Sequence, residues 1–111
     1  TISERLDLVI RQDEVYKNPN LTLEQLALAI EASPRELSKY INEVHQMNFS
    51  EFLNFHRIEK VKTLLVAPDS KKYTILALAE DAGFRSKSTF NAIFKKMVGV
   101  TPSAYQKQHL N

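Results

Sequence analysis

Lys87, Ser88, Asn91 and Lys95 recur at spacings that place them along one side of a helix, and each carries a hydrogen-bond donor. No acidic residue interrupts the stretch from Arg85 to Lys96. Phe90, Ile93 and Phe94 fall on the other side and make an apolar face. The chemistry this arrangement offers is recognition of a polyanion. Ammonium groups suit phosphates, while an amide and a hydroxyl can bond base edges.

A helix must be started and aimed before its side chains can do this work. Gly83 can take the left-handed conformation that ends a preceding helix, and Phe84 can pack back on that helix. Ser86 then offers its hydroxyl to the first free N–H groups of the new helix. Helix, turn and basic helix together form a helix-turn-helix candidate.

With 111 residues the chain should form one compact domain, or two very small ones sharing a core, and its 43% hydrophobic and 25% charged content are those of an ordinary globular protein. No apolar run approaches the ~18 residues a membrane span requires, and no leader peptide is present. Cysteine is absent, which removes disulfides and thiolate metal sites and fits a reducing cytoplasm. Only two glycines and little alternation of apolar with polar residues predict an all-α fold. A start at Thr1 rather than Met reads as a fragment or a processed chain. The net charge of +2 conceals a polarity: residues 1–55 hold 5 basic and 9 acidic groups (−4), residues 56–111 hold 10 and 4 (+6). The second half is therefore the one suited to an anionic partner.

Periodicity and caps predict seven helices. The first spans 3–17, capped by Ser3, with Leu6, Val9 and Ile10 on one face; Asn18-Pro19-Asn20 ends it, and Tyr16 packs. Thr22 with Gln25 and Ser33 with Glu36 are capping boxes. They open helices with Leu23, Leu26, Ala27 and Ile30, then Leu37 and Ile41, turned inward. Asn48 opens a long helix to about Val66, with Phe52, Phe55, Ile58, Val61, Leu64 and Leu65 as its apolar stripe. After a linker at 68–72, Thr74 starts a fifth helix with Ile75, Leu78, Ala79 and Ala82 inward. The basic helix is the sixth and ends at Gly99; Thr101-Pro102 caps a seventh holding Tyr105.

Aligned on their caps, the helices repeat. Thr22, Leu23, Leu26, Ala27 and Ile30 match Thr74, Ile75, Leu78, Ala79 and Ala82 at an offset of 52. One residue more enters at the Gly83 turn, after which Ser33, Leu37, Ile41, Asn48, Ser50 and Phe52 match Ser86, Phe90, Phe94, Thr101, Ser103 and Tyr105 at 53. The pattern is two helix-turn-helix units, at about 22–47 and 74–99, joined by the helix at about 48–66 within one domain. At 1.5 Å per residue that helix is roughly 28 Å long, against about 34 Å between successive major-groove faces of B-DNA. One chain could place a recognition helix in each of two neighbouring grooves.

The run Gly83-Phe84-Arg85-Ser86-Lys87-Ser88-Thr89-Phe90, followed by Phe94-Lys95-Lys96, Gly99-Val100-Thr101-Pro102 and Tyr105, resembles the signature of the AraC/XylS family of bacterial transcription regulators. Leu21-Thr22-Leu23, Leu26-Ala27, Leu37-Ser38, Asn48-Phe49 and Arg57-Ile58 agree in the first half, so the resemblance covers about residues 6–107. It implies a seven-helix DNA-binding domain and promoter-specific control of transcription. It also implies double-stranded DNA as a partner, with RNA polymerase and a separate sensor or dimerisation domain as further ones. On this alignment base edges are read by Arg35, Ser38 and Lys39 in the first unit and by Lys87, Ser88 and Asn91 in the second. Phosphates fall to Ser33, Arg85, Ser86, Lys95 and Lys96. Donor chemistry agrees: Arg and Lys suit guanine O6 and N7, Asn suits adenine, and helix starts favour anions. The chain departs from the pattern in its first turn, where Glu31-Ala32-Ser33 has no glycine, and in the four Glu that residues 22–47 carry against Arg35 and Lys39.

Each polar residue has a plainer reading as part of a solvated helix face. That reading is stronger for Lys71 and Lys72 in the linker, and Arg57 is equally suited to a structural ion pair. Phe90, Phe94 and Tyr105 read as core. An enzyme finds no support: His45, His56 and His109 are scattered, Glu80 and Asp81 point apart, and no Cys nucleophile or phosphate-binding glycine loop is present. No cofactor, metal or membrane partner is expected. The remaining alternative is a helical protein–protein module, docking on RNA polymerase or a sensor through the acidic first half.

Overall fold

Side-chain caps open the helices of the computed structural model, which describes residues 1–110. Thr22 Oγ1 accepts from the Gln25 N–H at 3.1 Å, Ser33 Oγ from Glu36 at 3.1 Å, Asn48 Oδ1 from Glu51 at 2.8 Å, and Thr101 Oγ1 from Ala104 at 3.2 Å. Each such bond satisfies a backbone donor that the helix cannot, and is worth about 1 kcal/mol. The helices that follow are α1 (Ile2–Arg11), α2 (Leu23–Ala29), α3 (Pro34–Tyr40), α4 (Phe49–Leu65), α5 (Ile75–Asp81), α6 (Lys87–Val98) and α7 (Pro102–His109). Among the described residues there is no strand, and the fold is all-α.

The chain forms two compact units, Thr1–Asn54 and Phe55–Asn111. In the first, Leu6 and Ile10 of α1, Leu26 and Ile30 of α2, Leu37 and Ile41 pack with Phe52 and Leu53 from the start of α4. In the second, Ile58, Val61 and Leu65 from the rest of α4 pack with Leu78, Ala82, Phe84, Phe90 and Phe94. A single helix thus contributes to both cores. This division accounts for Phe55, whose inward placement is corrected: it is 39% exposed, at the point along α4 where one core's residues give way to the other's. Leu53, outside the expected stripe, is buried instead.

The first helix is shorter than its periodicity suggests. It starts on Thr1, whose hydroxyl accepts from the Glu4 N–H, so Ser3 lies inside the helix rather than capping it. It ends at Arg11, because Glu14 turns into the left-handed region (φ 48°) before a 3-10 turn at Val15–Lys17. Glu14 holds that turn from its side chain, accepting from the Tyr16 hydroxyl at 3.0 Å and pairing with Lys17 at 3.2 Å. Burial, then the neighbouring Glu14 carboxylate, pushes the Tyr16 hydroxyl up to about 12. The expected third helix also divides: α3 gives way to a π-helical turn at Ile41–His45, closed by a left-handed Gln46. The 68–72 linker contains a 3-10 turn at Ser70–Lys72.

The repeat extends to individual backbone bonds. Ile30 N–H reaches Leu26 O, Glu31 N–H reaches Leu28 O, and Ala32 N–H reaches Ala27 O. Ala82, Gly83 and Phe84 make the same bonds to Leu78, Glu80 and Ala79, each 52 residues on. The turns are therefore alike through Phe84. The additional residue enters after that point, at Arg85, and not at the glycine itself.

Candidate nucleic-acid interface

In the second unit, the core fixes which face of α6 meets solvent. Phe90 and Phe94 are 1% and 0% exposed. Their rings form a chain, Phe84 to Phe90 at 5.1 Å, Phe90 to Phe94 at 5.8 Å and Phe94 to Tyr105 at 5.8 Å. This locks the helix about its axis, since rotating it would tear aromatic contacts from a closed core. Lys87, Ser88, Asn91, Lys95 and Lys96 are all exposed as a result, and so is Arg85 just before the helix. Ser86 caps the helix by accepting from the Thr89 N–H at 3.3 Å, and its hydroxyl also lies 3.1 Å from that of Ser88.

A groove of about 190 Å³ beside α6 places Lys87 and Asn91 with Leu76, Thr101 and Ser103. Thr101 and Ser103 belong to the start of α7, where the sequence shows only a cap and a repeat match. Thr101 and Ser103, at a helix start, line the same groove as Lys87, a combination that favours anions. The sequence signal for it was the Thr101-Pro102 cap, whose partner across the groove only the fold reveals.

In the first unit, Leu37 and Ile41 are fully buried and orient α3 in the same way. Arg35 and Lys39 are exposed and Ser38 is half-buried, with its carbonyl accepting from the Asn42 amide at 3.0 Å. The start of α3 differs chemically from that of α6. The Glu36 carboxylate accepts from the Ser33 N–H at 3.0 Å, while the Glu36 N–H donates to Ser33 Oγ. The Ser33 N–H, followed by the Ser33 side-chain bond, holds the Glu36 carboxyl below its ordinary range. The Ser33 N–H at this helix start is therefore already bonded by the chain's own carboxylate, while the Ser33 hydroxyl keeps a proton to donate.

Arg57, on α4, is 9% exposed, and burial lowers its pKa. It is an interior group rather than a surface phosphate contact. The three histidines each meet an aromatic ring: His45 lies 5.7 Å from Tyr40 and 5.4 Å from Phe52, His56 lies against Phe55, and His109 stacks on Tyr105 at 4.1 Å. Among the described residues no group of three or more His, Cys, Asp or Glu could hold a metal ion, and no helix is long and apolar enough to cross a membrane.

The comparisons with known proteins agree with this geometry. A family model described as "Helix-turn-helix domain" matches residues 26–108. The HTH-type transcriptional regulator YijO of Escherichia coli is 35% identical over 97 residues, covering 87% of this chain and 33% of that protein. The melibiose operon regulatory protein of Escherichia coli is 32% identical over 87 residues, covering 78% of this chain and 28% of that protein. The chain thus spans about a third of the length of such relatives. Among solved structures, the C-terminal domain of the response regulator AraT from Geobacillus stearothermophilus superimposes with a TM-score of 0.79 at 27% identity, covering 99% of this chain and 86% of that one. The chain belongs to the AraC-type family of helix-turn-helix domains, a family of DNA-binding transcription regulators.

Proposed function

We propose that the two units act as one DNA-binding domain that reads double-stranded DNA sequence-specifically and regulates bacterial transcription, with α3 and α6 in successive major grooves. The supporting observation is the turn duplicated bond for bond and the helix that follows each copy, which presents an exposed donor-bearing face from a buried aliphatic or aromatic stripe. Arg35, Ser38 and Lys39 on α3, and Lys87, Ser88 and Asn91 on α6, take the base edges. Ser33, Arg85, Ser86, Lys95 and Lys96 take phosphates, joined by the start of α7 at Thr101 and Ser103. In a longer regulator, a sensor or dimerisation domain and RNA polymerase would be the protein partners.

Salt and mutation test this reading together. If about six phosphates are neutralised, log K falls against log salt with a slope of roughly −5. Asn91→Ala or Arg35→Ala should weaken binding to the preferred duplex by about 1–3 kcal/mol and relax preference at one base position. Lys96→Ala should weaken binding to all duplexes alike and reduce the slope by about one. Affinity indifferent to salt, or an unchanged specificity ratio in Asn91→Ala, contradicts it.

A further inference from the structure

The two units share a backbone but not a charge pattern. At the offset of 53, Glu36 stands where the second unit has Thr89, Asn42 where it has Lys95, and Glu43 where it has Lys96. The closing turns coincide in one bond, Gln46 N–H to Asn42 O at 3.1 Å and Gly99 N–H to Lys95 O at 2.9 Å, although Ile41–His45 is π-helical where α6 is regular α-helix. Both Glu43 and Lys96 are exposed, and no side-chain partner of Glu43 is found among the described residues. Glu36 is held ionised at the start of α3 by the Ser33 N–H. Two carboxylates therefore occupy one recognition face at positions that are neutral or cationic on the other.

We propose that Glu36 and Glu43 make the first unit a conditional reader. Both carboxylates oppose its approach to any phosphate backbone. The helix α3 then seats only where the base-edge bonds of Arg35, Ser38 and Lys39 outweigh that repulsion, while the second unit, with Lys95 and Lys96, anchors the chain on DNA. The inference rests on the DNA-binding reading above and assigns Glu36 and Glu43 a part in specificity that composition alone does not.

Glu36→Gln and Glu43→Lys test it, with Lys96→Ala as the reference. Gln suits the capping position, because Gln25 already serves there, accepting from the Thr22 N–H at 3.0 Å. Melting temperature is measured for each variant. The duplexes are one selected from a random pool and the same duplex with the first unit's half scrambled. Glu36→Gln should tighten binding to the selected duplex roughly 2- to 5-fold. Glu43→Lys should tighten it further and steepen the salt slope by about one. On the scrambled duplex the wild type should protect only the second unit's segment, and the double variant should protect both. Unchanged affinity, slope and footprint in folded variants, with Lys96→Ala still weakening binding, overturns the conditional role alone. If the pool yields no enriched duplex and the wild type shows no salt-dependent binding to any duplex, the DNA-binding reading fails, and the conditional role with it.

Discussion

The two units solve one backbone problem with different residues. The turn after α2 needs a left-handed residue and has Glu31 at φ 58°; the turn after α5 has Gly83 at φ 113°. The recognition helices close the same way, on Gln46 at φ 57° in the first unit and on Gly99 at φ 92° in the second. Both glycines of the chain thus sit in the second unit, and the first reaches the same turns with side chains that disfavour them. The turn is therefore set by its hydrogen bonds and by the core beneath it, and glycine only lowers the strain. With geometry fixed in this way, the exposed faces are free to differ in charge.

The comparison is broken most severely through the cores. Ile41 and Phe94 are equivalent, and both are 0% exposed. Truncating either leaves a cavity: Phe94→Ala should destabilise by about 3–5 kcal/mol and Ile41→Ala by about 2–5 kcal/mol. Because the two clusters are built from different residues, hydrogen exchange should rise first within residues 55–110 for Phe94→Ala and within 1–54 for Ile41→Ala. Exchange that rises evenly over the whole chain in both variants would show that the units are not separate in stability. A Phe94→Ala protein that keeps its melting temperature but loses DNA would place Phe94 on the outward face instead.

Exchanging the turn residues sharpens the comparison at smaller energies. An added Cβ at Gly99 meets nothing within 4 Å, so Gly99→Ala should cost only the backbone term of about 1–2 kcal/mol. Glu31→Gly and Gln46→Gly should each stabilise the first unit, by at most about 1 kcal/mol, since glycine's larger entropy loss offsets part of the relief. Chemical denaturation of the single variants measures both. A neutral Gly99→Ala would mean the closing turn carries no strain to relieve.

How far the sequence reveals this arrangement depends on how local each determinant is. Caps at Thr22, Ser33, Asn48, Thr74, Ser86 and Thr101 were legible because a cap is decided by a residue and the donor three positions on. The outward placement of Arg35, Lys39, Lys87 and Asn91 was legible from the helical period against Leu37, Ile41, Phe90 and Phe94. The early end of α1 was not, since Glu14 turns left-handed through bonds to Tyr16 and Lys17 that no period announces. Phe55 fits a helical stripe, but its exposure follows from α4 serving two cores. Burial of Arg57 depends on tertiary packing and left no signal of its own, and of the groove joining Asn91 to Ser103 the sequence showed only the Thr101-Pro102 cap on one side.

The smallest expected effect concerns acid. Glu36 has a lowered folded-state pKa, so its contribution to α3 is complete above the ordinary carboxylate value of 4.5 and is lost as pH falls through the folded value. Thr89, its counterpart, does not titrate in this range. The Ser33 amide resonance should therefore shift with acid while the Ser86 amide stays still. Parallel titration of the two would remove the asymmetry at the helix starts.

A footprint of the chain on a duplex selected from a random pool tests the central claim most directly. Two recognition helices on one chain predict two protected segments about one helical turn apart, roughly 10 base pairs from centre to centre. Arg35→Ala should weaken one segment and Asn91→Ala the other. A single protected segment, unchanged by Arg35→Ala, would contradict the account.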